Sequence, residues 1–377
     1  MSNWERKKLG DVCDIINGRN QKEVVNPQGA YPICGSGGVM GYADKYLCRE
    51  NTVIIGRKGS INNPIYVQEK FWNVDTAFGL QSKDNYLPKL LYYFCIGYDF
   101  SKHNKGTTIP SVVKSDLLEI PIPVPPLAEQ KRIVKTLDEK FAKIDKLKTA
   151  AETNLKNASE IFNAELNSKL NVENENLPQG WERKKICEVC DVTSSKRIFK
   201  DEYVENGIPF YRTKEIKELA HGLPISLELF ISRDKYNSIK KKYGVPQIGD
   251  VLISAVGTIG EVLVIENDNP FYFKDGNIVW LKNIKSLDPF YLKYKLISIT
   301  ENLKAMTRGA AYNALTIEKL EVCSIPLPPL SEQKRIVAHL DKLSEKVKRL
   351  EEIYHRTIAD CEELKKSILK QTFQGGN

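Results

Sequence analysis

The sequence predicts an α+β fold in which two globular α/β domains are separated by two long antiparallel coiled-coil helices, related as a pseudo-twofold internal repeat. Three observations predict it. A short segment near the start of the chain recurs near its middle, a proline-rich joint followed by a helical pattern occurs twice, and the segments between these anchors diverge. The chain is therefore two copies of one unit: a variable domain, a joint and a helix.

The first anchor is the beginning of each copy. Trp4–Leu9 (WERKKL) recurs as Trp181–Ile186 (WERKKI), and Val12–Asp14 recurs as Val189–Asp191. Both matches have the same offset in residue number, from 4 to 181 and from 12 to 189, which is 177. A constant offset over separate matches indicates a duplicated unit rather than a chance resemblance.

The second anchor is the end of each globular domain. Ile120–Val134 resembles Ile325–Val337, with an offset of 203 when the Pro-Pro-Leu steps are aligned. Since 203 exceeds 177 by 26, the globular domain of the second copy is longer by that difference. One trace remains between the anchors: Val53–Ile61 and Val251–Ile259 both read as a buried strand followed by a glycine turn with a hydroxyl residue.

Inside the globular domains the sequence predicts short strands and few helices. Val251–Ser254 and Val262–Ile265 resemble a hairpin, and 87–94 and 289–299 resemble short helices. The prolines of each joint favour an extended chain, and a helix begins where Leu-x-Glu-Gln-Lys-Arg follows them.

Both joints lead into helical patterns that carry an apolar stripe. The second has heptad spacing, with predicted seam residues Ile336, Leu340, Leu343, Val347, Leu350, Tyr354, Thr357, Cys361, Leu364 and Ile368. The first is looser, with Ile133, Leu137, Ile144, Leu147, Ala151, Leu155, Ala158, Phe162, Leu166 and Leu170. We expect the two helices to pack antiparallel within one chain; the alternative is dimerisation helices from separate chains.

The predicted domain boundaries follow from these elements. The first globular domain is 1–125 and its helix 126–171, a polar linker occupies 172–177, the second globular domain is 178–327, and its helix is 328–377.

Composition limits the classes of protein. The net charge is +8, from 56 Lys and Arg against 48 Asp and Glu, which permits a polyanionic partner without proving one. No stretch approaches the roughly 20 apolar residues of a membrane span, so we expect a cytoplasmic protein without membrane contact. Cys187 and Cys190 form a CxxC that the first copy lacks, because Gly10 stands opposite Cys187. The eight cysteines therefore read as reduced structural thiols.

Motifs of catalysis are missing from the sequence. There is no GxxxxGK[ST] loop, and the glycine-rich segment 35–41 fails GxGxxG because Met40 occupies the position of the last glycine. The four histidines form no HExxH pair. Asn63–Tyr66 (NPIY) faintly resembles the NPPY of adenine methyltransferases but lacks its second proline. We expect no catalytic residue and no metal site.

The joints Pro125–Val134 and Pro328–Val337, the restart Pro178–Trp181 and the C-terminal Ile368–Gly375 resemble the specificity subunit of type I restriction–modification enzymes. The resemblance extends over nearly the whole chain. It implies that the globular domains are target recognition domains, each reading one half of a bipartite site in double-stranded DNA. It implies that the helices are spacers that set the gap between half-sites and help dock two methyltransferase subunits.

The resemblance also implies that this chain holds no cofactor and does no chemistry. S-adenosylmethionine, ATP and Mg are then expected on the methyltransferase and the restriction (translocase) subunits. The candidate partner-binding residues lie at the starts of the helices: Glu129, Gln130, Arg132, Glu332, Gln333 and Arg335. Alternatives are a subunit of a fused or related methylation-only or defence system, a chain with methyltransferase activity of its own, and a structural scaffold without a DNA role.

The candidate DNA-binding residues are cationic or polar side chains in predicted loops, since phosphates attract Lys and Arg and base edges are read by polar groups. In the first domain they are Arg57, Lys58, Ser60, Asn62, Lys102, Lys105 and Thr107. In the second they are Arg212, Lys214, Thr258, Arg308, Tyr312 and Asn313. Lys105–Thr107 and 308–310 lie shortly before their joints and are interpreted as equivalent.

Overall fold

The computed structural model describes residues 4–172, 177–307 and 314–374. The chain divides into two compact units, one formed by Met1–Asn154 with Ile353–Asn377 and the other by Leu155–Glu352. Each unit thus contains one globular domain, the beginning of the long helix that follows it and the end of the other long helix.

The elements up to the end of the first long helix alternate short strands with few helices. In chain order they are β1 (Glu5–Lys8), α1 (Leu9–Val12), β2 (Cys13–Asn17), β3 (Tyr31–Gly35), β4 (Gly38–Ala43), β5 (Thr52–Gly56), β6 (Ile65–Val67), β7 (Trp72–Asn73), β8 (Ala77–Ser82), α2 (Pro88–Gly97), α3 (Lys114–Leu118), β9 (Pro121–Val124) and α4 (Leu127–Leu170).

The first globular domain is built on an antiparallel sheet of four strands in the order β2-β8-β5-β6, with a second sheet in the order β4-β3-β7. Strand β5 is buried along its whole length, as its run of Val53, Ile54 and Ile55 predicts. The chain enters and leaves the domain on neighbouring strands, since β1 pairs antiparallel with β9 and Glu5 lies opposite Val124.

The remaining elements repeat this scheme with additions. They are β10 (Glu182–Lys185), α5 (Ile186–Val189), β11 (Asp191–Thr193), β12 (Tyr203–Val204), β13 (Ile208–Tyr211), α6 (Thr213–Ala220), β14 (Phe230–Ile231), α7 (Arg233–Tyr243), β15 (Val251–Ser254), β16 (Val262–Val264), β17 (Tyr272–Phe273), β18 (Ile278–Lys282), α8 (Pro289–Ser298), α9 (Thr300–Thr307), α10 (Ile317–Glu321), β19 (Ser324–Leu327) and α11 (Leu330–Gln374).

The second globular domain has the same sheet order, β11-β18-β15-β16, and the same pairing of its first and last strands, with Glu182 of β10 opposite Leu327 of β19. The predicted hairpin is confirmed, since β15 pairs antiparallel with β16. Helices α2 and α8 both begin with a proline in the first turn, where proline costs no hydrogen bond. The additional length includes α6 and α7, between β13 and β15.

The long helices pack on each other antiparallel within each unit. In the first unit Asp145 pairs with Lys365 and Lys148 Nζ lies 2.5 Å from Glu362 Oε1. Moving forward along α4 thus means moving backward along α11. The predicted antiparallel packing within one chain is confirmed for this unit.

The second unit shows the same direction of packing. Ser159 Oγ donates to Glu351 Oε1 at 2.8 Å, and Glu165 Oε1 lies 2.9 Å from His339 Nε2. The prediction is confirmed here too.

The heptad seam of α11 is only half buried. Of the predicted seam residues, Ile336, Leu340, Val347 and Cys361 are buried, whereas Leu350 and Leu364 are exposed, Leu364 by 50%. The same holds for Leu147 of α4, which is exposed.

The buried stripe shifts at the end of α11, because these turns pack on the first globular domain. Leu369 and Phe373 are buried there, and the Phe373 ring meets Phe94 of α2 edge-on at 5.7 Å. Contacts with the first globular domain, as well as with α4, therefore determine which residues of α11 are buried. Among the described residues, no helix is long and apolar enough to cross a membrane.

Two leucines of α11 test this assignment of the stripe. Leu340→Ala should lower the free energy of unfolding by about 2 to 5 kcal/mol, because it removes a fully buried side chain and leaves a cavity. Leu364→Ala is the matched control and should change it little. Urea denaturation followed by circular dichroism measures both, and equal losses would contradict the half-buried seam.

Candidate nucleic-acid interface

Equivalent glycine turns follow β5 and β15. Gly59 and Gly257 have φ angles of 81° and 78°, a region that favours glycine. The Ile61 N–H donates to Gly59 O at 2.9 Å, and the Ile259 N–H donates to Gly257 O at 3.1 Å. A Cβ built on either glycine would meet nothing within 4 Å, so both turns offer unobstructed backbone to a ligand.

In the first domain the structure joins the two predicted DNA-binding loops. The Gly59 N–H donates to Pro110 O at 2.8 Å, and the Val112 N–H donates to Arg57 O at 3.0 Å. Asn104 braces the second loop, since its Oδ1 accepts from the N–H groups of Gly106 and Ser111 at 2.9 and 2.8 Å. These loops form one continuous surface, here called the first loop surface (57–60 with 104–112).

Most predicted side chains of the first loop surface are exposed. Arg57, Lys58, Ser60 and Thr107 all reach solvent. Lys105 is exposed too, although its Nζ lies 3.1 Å from Asp116 Oδ2. The surface therefore exposes cationic and hydroxyl side chains, and their role toward DNA stays a prediction.

Lys102 lies in a 3₁₀ turn that precedes this surface, and its Nζ is 6.0 Å from the centre of the Tyr98 ring. The side chain of Asn62 is hydrogen-bonded to the same turn. Asn62 Oδ1 accepts from the Phe100 N–H at 2.7 Å, and its Nδ2 donates to Asp99 Oδ1 at 3.0 Å. Asn62 therefore supports this turn while remaining exposed, and its role toward DNA stays a prediction.

In the second domain Arg212 and Lys214 are held in ion pairs. The Arg212 guanidinium donates to Glu215 at 2.6 Å and to Glu228 at 2.9 Å, and Lys214 Nζ lies 3.0 Å from Glu228 Oε1. Burial alone would raise the pKa of Glu215, but the hydrogen bonds from Arg212 lower it below its usual value. Each cation is thus paired with a carboxylate, as Lys105 is in the first domain, and the role of Arg212 and Lys214 toward DNA stays a prediction.

Thr258 is exposed in its glycine turn. Arg308, Tyr312 and Asn313 lie outside the described residues. Leu315, shortly after these residues, makes the same backbone hydrogen bond as Val112 in the first domain. Its N–H donates to Ala255 O at 2.9 Å. Leu315 corresponds to Val112 at an offset of 203, and Arg308 corresponds to Lys105 at the same offset.

Two cations that the sequence interpretation missed follow β2 and β11. The Arg19 N–H donates to Asn73 O at 2.9 Å and its carbonyl accepts from Trp72 Nε1 at 3.1 Å, which leaves the guanidinium exposed. Its equivalent at an offset of 177 is Lys196, also exposed, with its Nζ 5.0 Å from the centre of the Tyr243 ring. The offset itself was the signal that could have found them.

At the joints the structure corrects two predicted partner contacts. Gln130 is 1% exposed: its Oε1 accepts from the Leu87 N–H at 2.8 Å, and its Nε2 donates to Asn85 O and Pro125 O at 3.0 and 2.9 Å. Gln333 is 0% exposed. Both amides are fully used inside the chain and cannot reach a partner.

The bonds of Gln333 match those of Gln130. Its Oε1 accepts from the Asp288 N–H at 2.7 Å, and its Nε2 donates to Ser286 O and Pro328 O at 3.1 and 2.8 Å. This glutamine therefore attaches the start of each long helix to its globular domain.

The other four predicted partner residues form matched pairs on the same turns. Arg132 Nη2 donates to Glu129 Oε1 at 2.6 Å, and Arg335 Nη2 donates to Glu332 Oε1 at 2.7 Å. Both arginines are exposed. Their role toward a partner stays a prediction.

The two cysteines of the CxxC segment differ in exposure. Cys187 is exposed, Cys190 is buried, and burial raises the pKa of Cys190 to about 12. Within 4–172, 177–307 and 314–374, no group of three or more His, Cys, Asp or Glu residues could hold a metal ion.

The joint glutamine can be tested against its exposed neighbour. Gln333→Ala should lower the free energy of unfolding by about 1 to 3 kcal/mol, because it leaves a buried N–H and buried carbonyls without partners. Arg335→Ala, slightly further along the same helix, should have little effect. Urea denaturation of the two variants decides; a Gln333→Ala chain as stable as the wild type would refute the attachment.

Comparison with known proteins gives consistent results. Residues 1–157 and 178–355 match the sequence model of a family described as the type I restriction modification DNA specificity domain. The chain is 29% identical to a Haemophilus influenzae protein named as a putative type I restriction enzyme specificity subunit, over 90% of this chain and 88% of that protein. It is 27% identical to the type I restriction enzyme MjaVIII specificity subunit of Methanocaldococcus jannaschii, over 99% and 92% of the two chains.

Solved structures show the same fold. A chain from a structure of complex assembly in a type I R-M system superposes with a TM-score of 0.80 at 24% identity, over 100% of this chain and 98% of that one. The HsdS subunit of Thermoanaerobacter tengcongensis gives a TM-score of 0.57 at 23% identity, over 100% and 97%. These likenesses concern the fold, and they confirm the predicted α+β architecture.

Proposed function

The chain belongs to the type I restriction modification DNA specificity family, and from this premise we propose that each globular domain reads one half of a bipartite DNA site. The long helices set the gap between the half-sites and dock methyltransferase subunits. The chain itself is the non-catalytic recognition subunit. S-adenosylmethionine, ATP and Mg belong to the methyltransferase and restriction subunits.

The observation that carries this proposal is that the two domains share a fold but differ in their loop side chains. Both domains have the same four-stranded sheet order and the same glycine turn after the equivalent strand. Their side chains at equivalent places differ: the exposed Arg57 and Lys58 of the first turn correspond to the buried Ala255 and the half-buried Val256 in the second. A shared frame with unlike loops supports two readers of unlike sequences.

The helices supply a fixed length. Helix α4 has 44 residues and is about 66 Å long at 1.5 Å per residue. Within each unit α4 and α11 pack antiparallel. Half-site spacing is then a geometric property of the protein.

The same helices present apolar side chains that this chain leaves uncovered. The exposed ones are Leu147, Ile161, Leu350, Ile353 and Leu364. Exposed apolar residues on a helix pair support docking of another subunit. We infer that Leu147, Ile353 and Leu364 in the first unit, and Ile161 and Leu350 in the second, contribute separately to contacts with methyltransferase subunits.

Exchange of one domain tests modular reading. In the complex with its methyltransferase subunits, replacing 178–327 by the corresponding domain of a relative should change one half-site and leave the other half-site unchanged. Sequencing of methylated DNA gives both half-sites. A change in both half-sites would overturn the assignment of one half-site to each domain.

Phosphate contact by the first loop surface is tested with a matched pair of lysines. Lys58→Ala should weaken DNA binding by the assembled complex and reduce the slope of log K against log salt by about 0.9, as expected for one lost phosphate contact. Lys214→Ala, whose ammonium is paired with Glu228, should leave that slope unchanged. Fluorescence anisotropy at several salt concentrations measures both slopes, and the opposite order would contradict the proposed surface.

A further inference from the structure

The end of α4 is held in the second unit by a buried cation. Lys295 of α8 is 4% exposed, and its Nζ donates to Leu170 O at 3.0 Å and to Asn171 Oδ1 at 2.5 Å. Leu170 is the last residue of α4. The last carbonyls of a helix have no partner inside the helix, and the helix dipole makes this end negative. An ammonium at this point therefore satisfies both needs.

A second cation and a hydroxyl complete the arrangement. Arg183 of β10 donates to Val172 O, and Ser298 Oγ donates to Asn171 Oδ1 at 3.2 Å. Three successive residues at the exit from α4 are thus bound by side chains of the globular domain. Burial lowers the pKa of Lys295 to about 8, with the charge of Arg183 next in importance, so the ammonium is still the main form at neutral pH.

The equivalent place in the first unit is built without charge. Lys295 corresponds to Phe94 at an offset of 201, the offset of the prolines that begin α8 and α2. Leu170 corresponds to Phe373 at the offset of the joints, 203. The Phe94 and Phe373 rings meet edge-on at 5.7 Å, and both are buried. One unit therefore fastens its helix end by apolar packing, which is tolerant in direction, and the other by directed hydrogen bonds.

We propose that Lys295 is a positioning residue: with Arg183 it clamps the end of α4 and fixes the orientation of the second recognition domain on that helix. This rests on the proposed function, because only a domain that reads DNA at a fixed gap converts its orientation into a preference for gap length. A hydrogen-bonded clamp restricts angle more tightly than ring packing does. Loss of the clamp should widen the range of accepted gaps without altering the bases read.

The test uses the full complex with its methyltransferase subunits and a DNA library in which the gap varies by single base pairs. The wild type should methylate one gap length predominantly. Lys295→Met, similar in length but unable to donate, should raise the fraction of methylation at neighbouring gap lengths at least threefold. Lys295→Arg, which keeps the charge and the donors, should restore the wild-type preference, and Phe94→Leu is the matched control in the first unit and should not broaden it.

Hydrogen exchange on the full chain provides a second measurement that does not depend on assembly. Lys295→Met should speed exchange of the amides of residues 171 and 172, and Phe94→Leu should not. If Lys295→Met does not assemble, Lys295→Gln, which is shorter and uncharged, takes its place in the gap assay and should also raise the fraction of methylation at neighbouring gap lengths; an unchanged preference would overturn the clamp.

The outcomes separate the two hypotheses. A wild-type complex with no gap preference would defeat the proposed function itself. A wild-type preference that Lys295→Met retains, with unchanged exchange at residues 171 and 172, would overturn the clamp alone. A change in the bases methylated by Lys295→Met would also overturn it, since the clamp orients the domain and does not read DNA.

Discussion

One buried amide at the start of each long helix is the contact on which the architecture depends. Gln130 and Gln333 each accept one backbone hydrogen bond and donate two, and neither reaches solvent. The prolines before them restrict φ but have no N–H, so they cannot fix the direction of the helix by donating hydrogen bonds. The glutamine supplies that direction by binding a loop of the domain and the preceding strand at once. A long helix can set a distance only if the globular domain that precedes it is firmly attached to it.

The two halves of the chain keep this attachment and vary what surrounds it. The sheets share their strand order, and Tyr93 and Tyr294 donate equivalent hydrogen bonds to Asp138 and Asp341 on the long helices. Variation is concentrated in the turns and in the added helices of the second domain. The protein thus conserves the geometry that positions its surfaces and changes the surfaces themselves.

Much of this was predictable because repetition is visible without any structure. The joints, the helices and their antiparallel packing all follow from matched segments and apolar spacing. The burial of Gln130 was not predictable, since a glutamine in the first turn of a helix ordinarily faces solvent, and the loop that covers it lies 45 residues earlier.

The ion pairs of Arg212 and Lys214 were hidden for a similar reason. Glu228 is 16 residues from Arg212 and follows no periodic pattern. Leu364 of the predicted seam is exposed, and the end of α11 packs on the first globular domain as well as on α4. For Gln130 and for the ion pairs with Glu228, a contact distant in sequence decided what the side chain binds.

The pairing of the first and last strands of each globular domain has a consequence for how such a chain can change. Glu5 lies opposite Val124, and Glu182 lies opposite Leu327. The chain therefore enters and leaves each globular domain through two adjacent strands. Directly opposed residues of an antiparallel pair have Cα atoms only about 5 Å apart. Whatever is inserted between them, whether the shorter interior of the first copy or the longer one of the second, leaves the helix where it was. Genetic recombination at these two short strands can therefore graft a foreign domain in a single step and leave the scaffold intact.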